Sequence, residues 1–346
     1  SIGDKVLTHT GEYKPVTKTF VREINEDISN IKTYYSTPEL CLTSNHKLLC
    51  VKRPKTSRLD LPDKEYICKN KVEWIEANNI EQGDFLVYPK KKYKVKDMDN
   101  IKLTDFIDSN LFLSWFDPKM GELLYCKPYN YDVNRKYRYN KFPRRFTKNE
   151  IPVNDDLMTL IGYYLAEGYS SSSHVEFSFH IKEVEYQEEV KTAIRNLFGI
   201  EPKVIYSKHF NCMRIYVDRK ALGMFFEQFG KDCYTKKIPE WIMNLPKEKK
   251  RPMVRAMFNG DGCYFNNGER VGYCTVSDEM RIQLRDILLE FNIISSIVGE
   301  KSLNCSVAEE FYEKILLKPY PLVKQNRGVK GWVNEDYLFL PVRFNK

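Results

Sequence analysis

Two acidic residues, Glu167 and Asp261, occupy matching places in two short apolar stretches that lie 94 residues apart. Residues 159–167 and 254–261 each end in the acid, and a glycine follows directly in both. These patterns predict two helices, each ended by its glycine. Two carboxylates held close together repel each other unless a positive charge lies between them. We therefore expect the pair to bind a hard divalent cation, Mg²⁺ or Mn²⁺ in its place, with phosphate oxygens completing the shell.

Small residues recur four positions apart in both stretches: Gly162 and Ala166 in the first, Ala256 and Gly260 in the second. Residues four apart share one face of a helix. A face of glycine and alanine allows a second helix to approach to near-backbone contact. We expect the two helices to pack through these faces, which would bring the acids side by side. The alternative, two ordinary amphipathic helices with glycine caps, explains one copy well and two matching copies poorly.

The composition is that of a moderately basic chain with a sizeable core. Its 346 residues carry 55 Lys and Arg against 47 Asp and Glu, a net charge of +8, with 23 Tyr and 20 Phe. This balance permits a polyanionic partner without requiring one.

No leader peptide and no membrane-spanning apolar run is recognisable, so we expect an intracellular protein, in the cytoplasm, nucleoid or nucleus according to host. The nine cysteines include no Cys-x-x-Cys pair, which argues against a zinc site and a disulfide framework.

The first 110 residues predict a β domain, in which residues 40–51 form a strand, a turn and a second strand. Three segments here, residues 2–8, 43–46 and 81–86, resemble blocks of the intein splicing (Hint) domain. In that family a threonine and a histidine polarise the scissile peptide bond, and the matching positions are Thr43 and His46, which we interpret as vestigial. His46 could equally be an ordinary turn histidine. The family nucleophile is Cys or Ser, for which Ser1 is a marginal match.

Residues 335–346 resemble the strand with which an intein returns to its Hint domain. The later family blocks, with the penultimate His and terminal Asn, are not recognisable, so we expect no complete splicing by this chain.

Two basic runs precede the first acid-bearing helix, at residues 90–96 and 135–148. The second alternates with aromatic residues, which suits contact with phosphates and with sugar or base edges. A solvated linker is the alternative for both. The predicted DNA contacts in the second run are Arg135, Arg138, Arg144 and Arg145.

After each acid the chain shows the same succession of strand and helix patterns, so the unit is predicted as αββαββα. Two such units related by a pseudo-twofold axis would form a concave saddle for a DNA duplex. We predict domains over residues 1–110 (with 335–346 as a candidate returning strand), a basic linker or DNA-contact region over 111–150, and repeats over 151–245 and 246–334. Further expected DNA contacts are Lys203, Arg214, Arg270 and Lys330.

The two acid-ended stretches, residues 159–167 and 254–261, resemble the motifs of the LAGLIDADG homing endonucleases. The resemblance is specifically to the intein-encoded kind, which has two motifs in one chain. Leu165 and Asn259 replace the earlier acid of the family pattern, whereas Glu167 and Asp261 match its metal-binding acids. The resemblance implies an α+β fold and a monomeric nuclease that hydrolyses one phosphodiester in each strand of a long, specific double-stranded DNA site. It implies a divalent metal and no membrane partner.

Residues 234–242 resemble the Lys-x-Ile-Pro block that precedes the second motif in such inteins. There the lysine lies near the scissile phosphate, which points to Lys236 as a catalytic residue, with Lys237 the weaker match. A partner lysine is expected in the second repeat, where Lys318 and Lys330 are the candidates.

Three other functions remain open at the level of sequence. A non-cleaving, maturase-like binder on the same scaffold would usually have lost an acid, and both acids are present. The N-terminal fragment of a self-splicing intein is opposed, as a functional alternative, by the lack of recognisable C-terminal blocks. A Hint-type protease that cleaves only at its N-terminus would need an intact nucleophile.

Overall fold

The computed structural model describes residues 1–35, 39–53, 67, 71–127, 146–207, 211–321 and 331–345. Contacts divide the chain into two compact units. The N-terminal unit contains Ser1–Lys94, Tyr264–Gly272 and Leu284–Lys346, and the central unit contains Val95–Cys263 and Tyr273–Gln283. This division groups much of the predicted second repeat with the N-terminal residues and so differs from the boundaries predicted at 110, 150 and 245. Among the described residues, no helix has both the length and the apolar character needed to cross a bilayer.

The strands are short, and in chain order they are β1 Lys5–Leu7, β2 Tyr13–Pro15, β3 Ile28–Thr33, β4 Leu40–Thr43, β5 Lys47–Val51, β6 Glu73–Glu76, β7 Phe85–Pro89, β8 Asn100–Lys102, β9 Phe112–Asp117, β10 Gly121–Cys126, β11 Thr147–Lys148, β12 Glu150–Pro152, β13 Gly168–Ser171, β14 His174–His180, β15 Lys203–Ser207, β16 Cys212–Val217, β17 Gly262–Phe265, β18 Arg270–Cys274, β19 Ser295–Val298, β20 Ser302–Cys305, β21 Trp332–Val333 and β22 Tyr337–Asn345. The helices that concern the site are α1 Asp155–Glu167, α2 Val184–Phe198, α3 Lys220–Glu227, α4 Glu240–Met243, α5 Lys247–Asp261, α6 Asp278–Glu290 and α7 Ala308–Phe311.

The main sheet of the N-terminal unit has the strand order β4-β3-β22-β7-β5-β6, with β21 paired to β22. Strand β22 is antiparallel to both β3 and β7, so residues 337–345 lie within the sheet built by the first 90 residues. Burial of Phe85, Leu86 and Phe339 provides the apolar contacts that fix this register. Before residue 95, the described elements are strands and one short 3-10 helix. Ile67 is the described residue between 53 and 71, and it has a helical conformation.

A buried carboxylate anchors the turn before β7. Asp84 is 1% exposed and accepts hydrogen bonds from the Glu81 backbone N–H at 2.7 Å, the Arg53 backbone N–H at 2.9 Å and the Lys52 ammonium at 2.7 Å. A buried charge is tolerated when it is paired and fully hydrogen-bonded, as this one is. The acid that matches the Gly-Asp strand block therefore has a structural role here.

The first repeat lies in the central unit and has the element order α1-β13-β14-α2-β15-β16-α3, the αββαββα order predicted from the sequence. Its sheet is antiparallel, in the order β13-β14-β16-β15. Val175, Phe177 and Phe179 of β14, with Ile215 and Val217 of β16, are buried at alternate positions. Alternation of this kind covers one face of a sheet with helices and leaves the other face open to a partner.

The second repeat follows the same order, α5-β17-β18-α6-β19-β20-α7, with the sheet order β17-β18-β20-β19. Its last strand, β20, has no clear sequence pattern and is recognised only from its pairing with β19, in which Ile297 lies opposite Leu303. A single turn of π-helix, Tyr312–Leu316, follows α7.

The segment predicted as a basic linker over 111–150 contains regular structure. Strands β9 and β10 form an antiparallel hairpin, and β11 pairs with β10. Leu123, Leu124 and Tyr125 are buried, so this segment supplies apolar side chains of its own to the central unit. The arginines Arg135, Arg138, Arg144 and Arg145 lie outside the described residues, as does Lys330.

Candidate active site

Helix α1 carries Glu167 and begins with a well-formed cap. The Asn154 side chain accepts a hydrogen bond from the Leu157 backbone N–H at 3.1 Å, and Asp155 and Asp156 occupy the first turn. Both features stabilise a helix N-terminus, the first by hydrogen bonding and the second through the helix dipole. Residues 157–165 are all buried, so α1 is surrounded by protein. The glycine Gly168 follows the acid and begins β13.

Helices α1 and α5 approach so closely at two points that glycine is required at each. A Cβ atom at Gly162 would lie 2.3 Å from the Met253 carbonyl oxygen and 2.7 Å from Cβ of Ala256. A Cβ atom at Gly260 would lie 2.6 Å from Cβ of Ala166. None of these three distances leaves room for a Cβ atom, so the predicted packing through the faces of small residues is confirmed.

The close packing places the Glu167 side chain against the last turn of α5. A Cβ atom at Gly260 would lie 3.1 Å from Cγ and 3.3 Å from Oε1 of Glu167, and Asp261 is the next residue. Burial raises the pKa of Glu167 to about 7, and the negative charge of Asp261 adds to the effect. Burial also raises the pKa of Asp261 to about 6. Both carboxyl groups are therefore poorly solvated, and a cation between them would relieve their repulsion.

Asp261 is held by a buried phenol that sequence reasoning missed. Tyr273 is 0% exposed, and its hydroxyl donates to Oδ2 of Asp261 at 3.4 Å. Its ring packs against Phe258 at a centroid distance of 5.3 Å. Burial, followed by the charge of Asp261, raises the pKa of Tyr273 well above its ordinary value, so the hydroxyl remains a donor. The alternating pattern of β18 predicts an inward Tyr273, and the tertiary structure supplies its partner.

Lys236 lies at the end of α1 and is 3% exposed. Its ammonium donates to the carbonyl oxygens of Tyr164 and Gly168, the latter at 2.8 Å, and lies 3.5 Å from the centroid of the Tyr164 ring. Burial lowers the pKa of Lys236 to about 7, although the charge of Asp261 opposes this effect. The sequence predicted a lysine at the scissile phosphate. In the structure the ammonium binds two carbonyl oxygens at the end of α1, of which that of Tyr164 also accepts the Gly168 backbone N–H. The contact of Lys236 with a phosphate stays a prediction.

The backbone on both sides of Lys237 is fixed by side chains from beyond the second motif. The Ser277 hydroxyl donates to the Lys236 carbonyl oxygen at 2.6 Å. The Gln283 amide accepts from the Ile238 N–H at 2.7 Å and donates to the Ile238 carbonyl at 2.8 Å. Lys237, the weaker sequence match, is exposed. Ser277 and Gln283 therefore hold the segment that carries the buried lysine, a role that no local pattern signals.

Asn259, which replaces the earlier acid of the motif, belongs to a hydrogen-bonded chain behind the carboxylates. Its amide donates to the Tyr163 hydroxyl at 3.1 Å, and that hydroxyl donates to Oε2 of Glu189 at 2.7 Å. Arg255 lies 3.4 Å from the other oxygen of Glu189. This chain links α5 to α1 and α2 through polar groups and leaves Glu167 and Asp261 as the acids at the helix ends.

The donor set at the helix ends consists of two carboxylates. Across the described ranges, no cluster of three or more His, Cys, Asp or Glu side chains has the arrangement of a metal site. Glu167 and Asp261 supply only oxygen, the ligand that Mg²⁺ and Mn²⁺ prefer, and Mg²⁺ is usually bound by one or two carboxylates with water and phosphate as further ligands. The residues present therefore fit a hard divalent cation and do not fit a closed structural zinc centre.

Two of the predicted DNA contacts lie on one face of the first repeat's sheet. Lys203 is opposite Tyr216, two residues from Arg214 on β16, so both basic side chains are on the face away from the core. Both are exposed. Each forms a long ion pair, Lys203 with Asp218 and Arg214 with Glu176, both at 3.9 Å. Exposed ion pairs of this kind contribute only about 0–1 kcal/mol, so exchanging the carboxylate for a phosphate costs little free energy.

The remaining predicted residues lie in the N-terminal unit. Arg270 is exposed on β18, and Lys318 is exposed after the π-helical turn. Thr43 donates its hydroxyl to Oδ1 of Asn45 at 2.9 Å. His46 is exposed, and its backbone N–H donates to the Thr43 carbonyl at 2.9 Å in the turn between β4 and β5.

Residues 248–315 match the model of the LAGLIDADG-like domain family. The chain is 23% identical over 378 residues to the uncharacterized protein MJ0043 of Methanocaldococcus jannaschii, an alignment that covers 99% of this chain and 43% of that protein. It is 27% identical to the DNA polymerase II large subunit of Thermococcus kodakarensis, over 62% of this chain and 14% of the subunit. It is 24% identical to the ATP-dependent DNA helicase Hel308 of the same organism, over 85% of this chain and 26% of the helicase. The chain thus spans less than half the length of these relatives.

Among solved structures, the chain is similar to the homing endonuclease I-DmoI in complex with DNA and Ca, with a TM-score of 0.39 and 15% identity over 49% of this chain and 94% of that one. It is also similar to I-WcaI bound to its DNA recognition sequence, with a TM-score of 0.37 and 19% identity over 48% of this chain and 83% of that one.

Proposed function

We propose that this chain is a site-specific double-strand DNA endonuclease that uses a divalent cation held by Glu167 and Asp261. The observation that carries the proposal is the helix crossing at Gly162 and Gly260, where the Glu167 side chain lies against Gly260, the residue before Asp261. Structural needs do not explain two half-buried acids with raised pKa values at one place, because removing carboxylates from water costs free energy without a cation. Perturbed carboxyl groups of this kind concentrate at functional sites.

The residues of the chain have separate tasks in this proposal. Glu167 and Asp261 would hold the cation, Tyr273 orients the Asp261 carboxyl, and Lys236 keeps the end of α1 in place through its two carbonyl contacts. A bound Mg²⁺ or Mn²⁺ supplies Lewis acid stabilisation of the charge that develops on the phosphate. The tight packing of α1 against α5 pre-organises both acids before substrate arrives, which is where much of the catalytic advantage of such sites originates.

A DNA substrate is supported by the match of residues 248–315, which include Asp261, to the LAGLIDADG-like domain. It is also supported by the open sheet face that carries Lys203 and Arg214. Strands in the major groove can distinguish all four base pairs, whereas contacts to phosphates mainly set register. We therefore assign this face to recognition of a specific site on the duplex.

We further infer that the chain is a mobile module carried by unrelated host proteins. The relatives are named as a polymerase subunit and a helicase, and the matching segment is only 14% and 26% of their length. A shared segment in hosts of different activity is best explained as an insertion, and the host activities are not those of the module. The pairing of β22 with β3 and β7 is what an insertion into an N-terminal β domain would produce.

The experiment that tests the nuclease assignment is incubation of the protein and Mg²⁺ with a library of its own coding locus from which the insertion has been removed. Sequencing of the ends should map breaks in both strands at one position. The same assay in EDTA should give none. Full cleavage in EDTA would falsify the metal-dependent mechanism. Specific DNA binding without breaks, under any divalent metal, would support the maturase-like alternative.

A further inference from the structure

Two cysteines lie side by side next to the Asp261 carboxylate, both within the central unit. Cys263 is two residues after Asp261 on β17, and Cys274 directly follows Tyr273 on β18. Their Sγ atoms are 3.8 Å apart in a thiol–thiol contact, and neither thiol is in a disulfide. Cys274 is exposed and Cys263 is partly exposed, so a small reagent can reach the pair.

The geometry is close to that of a disulfide across two strands. Strands β17 and β18 are hydrogen-bonded neighbours, and facing Cβ atoms in such pairs are about 4.5–5.5 Å apart. A disulfide needs Cβ atoms at about 3.5–4.5 Å and an S–S bond of about 2.05 Å. The sulfur atoms must therefore approach by about 1.7 Å, which requires side-chain rotation and a small shift of the strands.

We propose that Cys263 and Cys274 form a reversible disulfide by exchange with a low-molecular-weight disulfide, and that this bond reduces activity at the neighbouring carboxylate site. The regulatory part rests on the proposed nuclease function. The thiolate of Cys274 attacks one sulfur of the small disulfide, forming a mixed disulfide and releasing one small thiol. The thiolate of Cys263 then attacks the Cys274 sulfur, forming the internal disulfide and releasing the second thiol. Each small molecule leaves as a thiolate, and the two thiolates take up the two protons lost by the protein thiols.

The bond would act on the site through both neighbours of the pair. Cys263 follows Gly262, the residue that caps the C-terminus of α5, and Cys274 adjoins Tyr273, whose hydroxyl holds the Asp261 carboxyl at 3.4 Å. Drawing the two strands together displaces the donor and the carboxylate relative to each other. A misplacement of about 1 Å in a catalytic group can lower a rate by about 100-fold. We expect cleavage by the oxidised protein to fall by at least about tenfold.

The test treats the full-length chain with oxidised glutathione and follows two readouts separately. Mass spectrometry should show the loss of two hydrogen atoms, and peptide mapping should join Cys263 to Cys274. Cys263→Ser and Cys274→Ser should each prevent that bond, whereas Cys126→Ser, an exposed thiol elsewhere in the central unit, should leave it unchanged. Reaction that stops at a glutathione adduct on the wild-type chain would overturn the proposed disulfide.

Cleavage of DNA and affinity for Mn²⁺ are then compared between oxidised and reduced protein. Both should fall on oxidation and recover with dithiothreitol in the wild type and in Cys126→Ser. An internal disulfide that leaves both unchanged would overturn the regulatory role. Failure of the reduced protein to cleave DNA or bind Mn²⁺ would instead count against the nuclease function. In that case peptide mapping would still test whether Cys263 and Cys274 form the disulfide.

Discussion

The ends of α1 and α5 carry the same succession of small residue, acid and glycine, yet they are held in different ways. At the end of α1, a buried ammonium, that of Lys236, binds the carbonyl oxygens of Tyr164 and Gly168. At the end of α5, a buried neutral phenol donates to the acid directly. The two repeats thus share the backbone arrangement of the helix ends, whereas the side chains that support these ends have diverged.

The difference has an electrostatic consequence for both acids. The positive charge of Lys236 lowers the pKa of Glu167 and of Asp261, opposing the increase due to burial. The Tyr273 hydroxyl lowers the pKa of Asp261 alone. We therefore expect loss of Lys236 to affect the whole site and loss of the Tyr273 hydroxyl to affect mainly the α5 side.

The largest expected effect comes from removing either acid. Glu167→Gln and Asp261→Asn should each lower DNA cleavage by at least about 100-fold, since even outer partners of a metal ligand are worth about 10–100-fold. Binding of the target in a gel-shift assay should remain, because in the proposed function these charges hold the metal and not the DNA. Asp155→Asn, in the first turn of α1, is the matched control and should cleave normally. Loss of DNA binding in the acid variants would contradict their assignment as metal ligands.

Replacement of Lys236 should destabilise the protein. Lys236→Met leaves the carbonyls of Tyr164 and Gly168 without their charged donor, and we expect the free energy of unfolding to fall by about 2–3 kcal/mol. Lys237→Met, at the exposed neighbour, should change it by less than about 0.5 kcal/mol. Urea denaturation of both variants measures the difference. Unchanged stability with a strongly reduced cleavage rate would instead favour the phosphate contact predicted from the sequence.

The close crossing of α1 and α5 can be tested by adding one methyl group. Gly162→Ala places a Cβ atom where the Met253 carbonyl and Ala256 leave no room, so we expect a loss of about 1–3 kcal/mol. In an open helix the same substitution usually stabilises by about 0.5–1 kcal/mol. The direction of the change in melting temperature therefore tests the close crossing. A higher melting temperature for Gly162→Ala would show that the helices are further apart.

Tyr273→Phe removes one hydroxyl and should give a smaller effect, confined to the α5 side. We expect about tenfold weaker Mn²⁺ binding or cleavage, the lower end of the range for groups that orient a metal ligand. Tyr264→Phe, an exposed tyrosine near the other end of the same hairpin, is the control and should show no loss. Equal losses in both variants would show that the Tyr273 hydroxyl has no specific role in holding the Asp261 carboxyl group.

The smallest effect concerns pH. The folded-state pKa values of Glu167 and Asp261 are raised to about 7 and about 6. The folded protein therefore binds more protons than the unfolded chain between about pH 4 and 7. In EDTA these acids should make the protein less stable as the pH rises through that window. The stability of Glu167→Gln/Asp261→Asn relative to wild type should accordingly increase from pH 5 to 7 in thermal denaturation. A constant difference would indicate that the acids are well solvated.

Much of the site follows from local rules. The spacing of Gly162 and Ala166, and of Ala256 and Gly260, is enough to predict two mutually packing helix faces, because residues four apart always share a helix face. The order of strands and helices follows from periodicity in the first repeat. In the second repeat it weakens at β20, whose four residues are too few to show alternation.

The roles of Lys236, Tyr273 and the Cys263–Cys274 pair could not be predicted in this way. A lysine before an Ile-Pro pair is compatible with a solvated side chain, and its burial depends on the end of α1, 69 residues earlier in the chain. Hydrogen bonds and burial of this kind join distant segments, and their free energies depend on desolvation at the final position. Sequence spacing thus specified which residues could meet along each helix, whereas the folded arrangement alone selected the partners that hold them.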